Sequence, residues 1–315
     1  MYYIANGLNM KWLATIFAIF GALAAFGIGN MVQSNSVAAS LQESFNISPL
    51  VTGLVLAVLT ALVILGGIKR IGSVTEKLVP GMATIYILGA IFIIIMNGSH
   101  IPEAFGLIFG NAFTGTAAVG GFAGSTLAMA VRFGVARGVF SNEAGLGSAP
   151  IAHAASTTDH PVRQGLWGVF EVFMDTIVIC TLTALAILVS GLWNTGATGA
   201  ALTTQAFDEA IIGGGYIVSI GIMLFAFSTI LGWSYYGERC AEYLFGEKAI
   251  VPYRVIWIPF VVIGAIGGLE FIWDLADTMN GLMAIPNLIG VLMLSGTIIK
   301  LTKEFFASEK EKGNM

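Results

Sequence analysis

Val131-Arg-Phe-Gly-Val-Ala-Arg-Gly-Val-Phe-Ser-Asn-Glu-Ala-Gly-Leu-Gly-Ser148 is the stretch on which the reading of this chain turns. Four glycines (Gly134, Gly138, Gly145 and Gly147), two arginines and a Ser-Asn-Glu triplet interrupt an otherwise apolar segment. No helix facing lipid along its whole length would carry that set. Irregular backbone at membrane depth is tolerated only where protein buries it or where it lines a wet cavity. The expectation is a helix that unwinds near Gly134–Val139. Its amides would face an anionic group and its carbonyls a cation. A glycine-rich packing seam with a structural ion pair is the plainer alternative.

The rest of the chain supplies the membrane. Of 315 residues, 57% are hydrophobic and only 10% charged, against roughly 25% charged in soluble domains. Mean hydropathy is +0.87. A soluble domain of this composition could not cover its own surface. The 40 glycines suit helices packed closely in lipid. A net charge of −4 without a basic block argues against nucleic acid. Cys180 and Cys240 form neither a disulfide framework nor a metal pair and read as packing residues.

Spanning the hydrocarbon core takes roughly 20 mostly apolar residues. Eight candidates follow: Lys11–Gln33, Leu50–Ile68, Leu78–Asn97, a composite segment within Gly120–Thr157, Gln164–Leu192, Gly214–Tyr236, Tyr253–Ile272 and Ile285–Lys303. A short amphipathic helix is expected around Leu202–Ala210, and a surface helix or loop at Asp274–Met283. The bundle then covers residues 1–303, with a solvated, mixed-charge cytoplasmic tail at 304–315. If the spans alternate, Lys11, Lys69, Arg70, Lys77, Arg163, Arg239, Lys248, Arg254, Lys300, Lys303, Lys310 and Lys312 share one side, and the opposite loops hold no Lys or Arg. The positive-inside rule places that side, and both termini, in the cytoplasm. Only Arg132 and Arg137 are left over, both in the fourth segment.

Several polar residues sit inside these spans. Asn30 and Gln33 are three apart on one helix face, placed to bond a substrate or another helix. Ser228 and Thr229 offer hard oxygen ligands, or bond back to the preceding turn. Glu171 and Asp175 lie four apart, and ionisable residues in a membrane are functional candidates by default. Pairing with Arg132, Arg137 or Arg163 is the bland account of both. Glu143 pairs with an arginine or gates a pathway. His100, His153 and His160 lie near loop ends without metal-ligand spacing and are given no chemistry.

The stretch Phe140-Ser-Asn-Glu-Ala-Gly-Leu-Gly-Ser-Ala-Pro-Ile-Ala-His-Ala154 resembles the signature of the alanine/glycine:cation, or sodium:alanine, symporter family. Met1-Tyr-Tyr-Ile4, Gly29-Asn-Met-Val-Gln33, Gly66-Gly-Ile-Lys-Arg-Ile71, Phe227-Ser-Thr229, Trp233-Ser-Tyr-Tyr-Gly237 and Met279-Asn-Gly-Leu-Met-Ala-Ile-Pro286 are similar to it as well. The resemblance implies an all-α, leucine-transporter-like bundle of two inverted five-helix repeats. In that register the chain runs from core helix 3 to core helix 10, with the broken segment as core helix 6. The family's preceding helices, broken helix 1 among them, have no counterpart, so a truncated gene or fragment is expected.

The function implied is secondary transport of alanine or glycine across the plasma membrane by alternating access. Sodium is the coupling ion and no other cofactor is expected. By the same resemblance Gly134, Ala136, Gly138 and Val139 contact substrate, with Ala136 and Val139 at its side-chain end; Asn30 and Gln33 are further candidate contacts, and Trp233 either closes the pocket or is an aromatic packing residue. Ser228 and Thr229 bind sodium. Arg137, Asn142, Glu143, Glu171 and Asp175 serve coupling or gating. A non-transporting fragment and a proton-coupled carrier are the alternatives. A membrane-embedded hydrolase using Ser141 and His153 lacks a G-x-S-x-G elbow and a third orienting group.

Overall fold

A computed structural model describes residues 1–112 and 127–311. Among these residues the secondary structure is entirely helical. In chain order the helices are α1 (Tyr2–Gly7), α2 (Lys11–Phe45), α3 (Pro49–Ile64), α4 (Gly67–Met96), α5 (Ile101–Ala112), α6 (Leu127–Asn142), α7 (Ala149–His153), α8 (Pro161–Ser190), α9 (Gly199–Ala210), α10 (Gly214–Phe245), α11 (Ile250–Ile266), α12 (Leu269–Met293) and α13 (Ser295–Glu311). Residues 120–126 of the composite segment and 312–315 of the tail, Lys312 included, lie outside the described residues.

Six of the described helices are long and apolar enough to cross a membrane: α2, α4, α8, α10, α11 and α12. Of the eight expected spans, the second corresponds to α3, of only 16 residues, the fourth is broken, and Ile285–Lys303 straddles the end of α12 at Met293 and the start of α13 at Ser295. Leu54, Val58 and Leu62 on α3, and Trp167, Val169 and Phe170 on α8, point outward. Those outward faces have no polar alternative, and hydrocarbon is the solvent they fit.

Two sequence expectations are corrected here. Asp274–Met283 is neither loop nor surface helix but the first half of α12, which is continuous from Leu269 to Met293. Its polar residues are divided: Asp277 pairs with Arg137 and Asn280 is buried, while Asp274 and Thr278 are exposed, and Asn287 further along α12 is buried. The tail from Glu304 is not free in solvent. It continues α13, and Phe305 and Glu309 are buried against the start of α8, where Arg163 bonds Glu309 at 3.4 Å.

Among the described residues the interior forms two apolar clusters. The larger one gathers α2, α3, α11, α12 and the second half of α10 around Phe17, Ile28, Ile230, Leu231, Trp257 and Met283. The smaller one gathers α4, the end of α8, α9 and the start of α10 around Tyr86, Ile93, Ala186, Phe207 and Val218. A buried hydroxyl chain ties α2 to α10: Ser40 donates to Ser219 at 2.8 Å, and the Ser44 and Ser219 hydroxyls lie 2.6 Å apart. The short helix expected near Leu202–Ala210 is α9.

Two spanning helices contain a π-helical turn, Phe26–Met31 in α2 and Met174–Ile179 in α8. Such bulges insert one residue into the helical ladder and are frequent at functional sites. The first carries Gly29 and Asn30, the second Asp175.

Candidate functional site

The break in the fourth segment falls later than Gly134–Val139. Helix α6 runs unbroken through those glycines to Asn142, so their amides are tied into the ladder. A glycine inside a helix costs roughly 1 kcal/mol relative to alanine, which packing can offset. The chain leaves the helix where positive φ is required: Glu143 at 55°, Gly145 at 88° and Gly147 at 86°. A non-glycine residue held in the left-handed region is uncommon and marks a site that its surroundings over-determine. The helix resumes as α7 after Ser148, with Pro150 in its first turn.

Packing explains how Glu143 holds that conformation. Its Oε1 accepts the indole N–H of Trp233 at 2.8 Å, and its Oε2 accepts the Ser148 hydroxyl at 2.6 Å. Asn142 Oδ1 caps the break by accepting the Ala144 amide at 2.9 Å. From the other side, Asn287 of α12 donates to the Gly145 carbonyl at 2.8 Å, while the Tyr3 hydroxyl donates to Asn287 Oδ1. A methyl group on Gly147 would meet Phe17 and Asn287 at 2.7 Å. Glycine is required there on two counts, φ and space.

A cavity of about 420 Å³ opens beside the break. Ser141, Asn142, Glu143, His153, Gln164, Glu171, Asp175 and Tyr236 line it. Glu171 and Asp175 therefore share a face, as their spacing predicts. Among the described residues neither meets an arginine. Glu171 lies 3.2 Å from His153 Nε2, and Asp175 accepts the Ser141 hydroxyl at 2.8 Å on each carboxylate oxygen. Arg137 instead pairs with Asp277 and stacks 4.2 Å from the Trp273 ring, while Arg163 bonds Asp159 and Glu309. Glu143 likewise has no arginine partner among the described residues.

A second cavity of about 250 Å³ holds Gln33, Ser36, Tyr86, Asp175, Thr203 and Phe225 among its walls. Asp175 borders both spaces. Gln33 donates to the Ile28 carbonyl at 3.0 Å, within the π-turn of α2. Asn30 is fully buried and donates to the Trp257 carbonyl at 2.8 Å, which makes it an interhelical bridge. Trp233 is buried, and Gly29 opposite is so close that any Cβ there would overlap the indole. Ser228 and Thr229 both donate to the Phe225 carbonyl, at 2.8 and 3.0 Å. This is the back-bonded geometry, and neither residue lines either polar cavity.

The other named residues are dispersed. Gly134 and Gly138 have open space where a Cβ would project, and Val139 packs on the larger apolar cluster. Gly134, Ala136, Gly138 and Val139 are absent from the walls of either polar cavity. His153, Gln164, Ser141 and Tyr236 stand in the polar cavity although sequence reasoning gave them no part in a site. Helical spacing across the break could not reveal them, because α7 and α8 meet there only in three dimensions. Ser141 donates to Asp175, while His153 contacts Gln164 and Glu171, so no serine–histidine nucleophile is assembled.

The model of the sodium:alanine symporter family matches residues 1–315. The sodium/alanine symporter AgcS of Methanococcus maripaludis is 52% identical over 313 residues, covering 97% of this chain and 68% of its own length. Two Bacillus subtilis proteins are similar at greater distance. The amino-acid carrier protein AlsT is 39% identical, covering 98% of this chain and 66% of the relative. The probable sodium/glutamine symporter GlnT is 40% identical, covering 98% and 64%. The chain thus spans about two thirds of the length of these relatives. A multi-pass helical bundle, a backbone break beside a polar cavity, and a family match from first residue to last lead to one statement: this chain belongs to the sodium:alanine symporter family.

Proposed function

We propose that this chain serves a plasma-membrane carrier that moves a small neutral amino acid, alanine or glycine, with sodium. The observation that carries the proposal is the interruption of α6 at Glu143–Ser148 beside a polar cavity, inside an otherwise apolar bundle. Lipid would penalise such a cavity, and a polar cargo that crosses the membrane needs one. Family membership supports the coupling ion, and relatives named for sodium with alanine or glutamine support the cargo class.

In this reading Gln33 contacts the substrate from the smaller cavity, and Trp233 acts from behind the wall of the larger one through its bond to Glu143. Asn30 acts by holding the α2 bulge against α11. Ser228 and Thr229 hold sodium, turning lone pairs toward the ion while their protons stay on the Phe225 carbonyl. Glu143 links the break to Trp233 and so couples the backbone of the fourth segment to the substrate cavity. The arrangement belongs to an inverted-repeat bundle of eight segments working by alternating access, both termini cytoplasmic.

Alanine uptake into proteoliposomes with and without an imposed sodium gradient tests the proposal. Uptake driven by the gradient is expected, and Thr229→Ala should raise the sodium concentration for half-maximal uptake more than it changes the alanine requirement. Uptake indifferent to sodium would refute the coupling. Proton coupling is the second reading, favoured by the His153–Glu171 contact in the polar cavity. It requires uptake to follow a pH gradient when sodium is equal on both sides.

A further inference from the structure

Away from the break, a groove of about 510 Å³ runs between α2, α3, α4 and α10. Its walls present no polar surface, and Thr52, the one hydroxyl residue among them, is buried. An ion or an amino acid would lose its hydration there and gain no partner. On the open side Phe45, Val51, Val55, Leu59 and Ile220 are all exposed. A contiguous apolar hollow of this kind marks a place where something apolar docks.

The groove adjoins a patch of charge. Leu59 is the last residue of α3 on its wall, and Arg70 reaches back from α4 to donate to the Leu62 carbonyl at 2.8 Å, three residues further on. Lys77 immediately precedes Leu78, the residue that α4 contributes to the wall. Lys69, Arg70 and Lys77 are exposed, and Arg70 and Lys77 are seven apart, on one face of the helix. None of the three forms an ion pair among the described residues. Glu76 is the only carboxylate between Gly66 and Pro80, so this stretch keeps an excess of positive charge.

We infer that this groove and its basic edge form a seat for an anionic phospholipid, one acyl chain in the channel and the phosphate on Lys69, Arg70 and Lys77. A basic cluster at the end of a spanning helix attracts anionic headgroups. Arg70 uses one donor on Leu62 and keeps the rest of its fork for phosphate oxygens. A free phosphate has no use for the apolar channel, and a neutral lipid has none for the three cations. The anionic lipid joins both demands in one molecule. Met223, Leu224 and Phe227 on the wall belong to the stretch of α10 that carries Ser228 and Thr229, so a bound chain packs against that helix. The seat is independent of the cargo proposed above.

Native mass spectrometry of the full chain in detergent, without sodium or alanine, tests it. The probes are phosphatidylglycerol, phosphatidylcholine and glycerol phosphate. One phosphatidylglycerol per chain should be retained, with an affinity about 100-fold above that of phosphatidylcholine, at about 1 kcal/mol for each basic residue. Salt should shrink that preference. Lys69→Gln, Arg70→Gln and Lys77→Gln should each weaken phosphatidylglycerol about fivefold, and together abolish the preference. These positions are exposed, so the fold should tolerate the changes. Val55→Trp, at an exposed wall position, should fill the channel and weaken both lipids by about tenfold or more. Equal retention of the two lipids, or a preference that survives the triple variant, overturns the inference. Displacement of the lipid by glycerol phosphate would reduce the seat to a bare anion site and overturn it as well. So would lipid retention that Val55→Trp leaves unchanged, or a dimer that Val55→Trp dissociates, which would give the groove to a second copy of the chain.

Discussion

At the residue scale, Trp233 and its neighbours are the most constrained point of the site. The indole is buried, donates to Glu143 at 2.8 Å, and leaves Gly29 no room for a side chain. Gly29→Ala should displace the ring and destabilise the protein by about 1–3 kcal/mol, the usual range for an overpacked core. Thermal unfolding followed by tryptophan fluorescence measures this. Trp233→Phe keeps the bulk and loses the hydrogen bond, for which interhelical bonds in lipid suggest about 0.6–1.7 kcal/mol. Its thermal shift should be smaller than that of Gly29→Ala, and an equal or larger shift would contradict the packing argument. The residue types of this site were legible in the sequence, but the position of the break was not. Gly134 and Gly138 look like helix breakers, yet a helix absorbs them. Gly145 and Gly147 are the ones whose φ forbids helix, with Pro150 restarting it. Their one-residue spacing ahead of a proline was the available clue.

At the scale of elements, hydropathy located the long helices and misread their polar faces. Asp274, Asp277 and Asn280 lower the mean hydropathy of the first half of α12, which is why it reads as loop, but Asp277 and Asn280 are turned into the bundle. A window average cannot distinguish a polar residue facing water from one facing a partner. The π-turns were invisible for a related reason, since one extra residue in the ladder leaves composition unchanged. Two predictions belong here. The Arg137–Asp277 pair joins α6 to α12 with both side chains partly exposed, so its worth falls below the roughly 3–5 kcal/mol of a fully buried broken pair. Asp277→Asn should lower the unfolding temperature. Exchanging both residues, Arg137→Asp with Asp277→Arg, should recover part of the loss, whereas two additive losses would show that the pair contributes nothing. Deleting Thr176 should convert the bulge of α8 to regular helix and rotate Asp175 away from Ser141. Alanine uptake should fall while detergent-solubilised protein remains monodisperse on size exclusion.

On the scale of the whole molecule, the distribution of cations was readable without coordinates, because sidedness depends on charge and span order alone. A cysteine introduced at Ser73, between Arg70 and Lys77, should be labelled only from the cytoplasmic face. One at Thr195, in the opposite loop, should react with impermeant reagents on intact cells. Reversed labelling would overturn the orientation. The division into two apolar clusters could not be foreseen, since it depends on which helices lean together. Helix α10 enters both, with Val218 in the smaller and Ile230 in the larger. Phe207→Ala should therefore speed amide exchange in α9 and the adjoining ends of α4 and α8 while α2 and α11 keep their protection. A protein divided in this way has two melting units on one shaft. Heat or a mutation can loosen the outer unit while the inner one keeps its shape, and partial denaturation of this carrier should leave a folded remnant built on α2, α10 and α11.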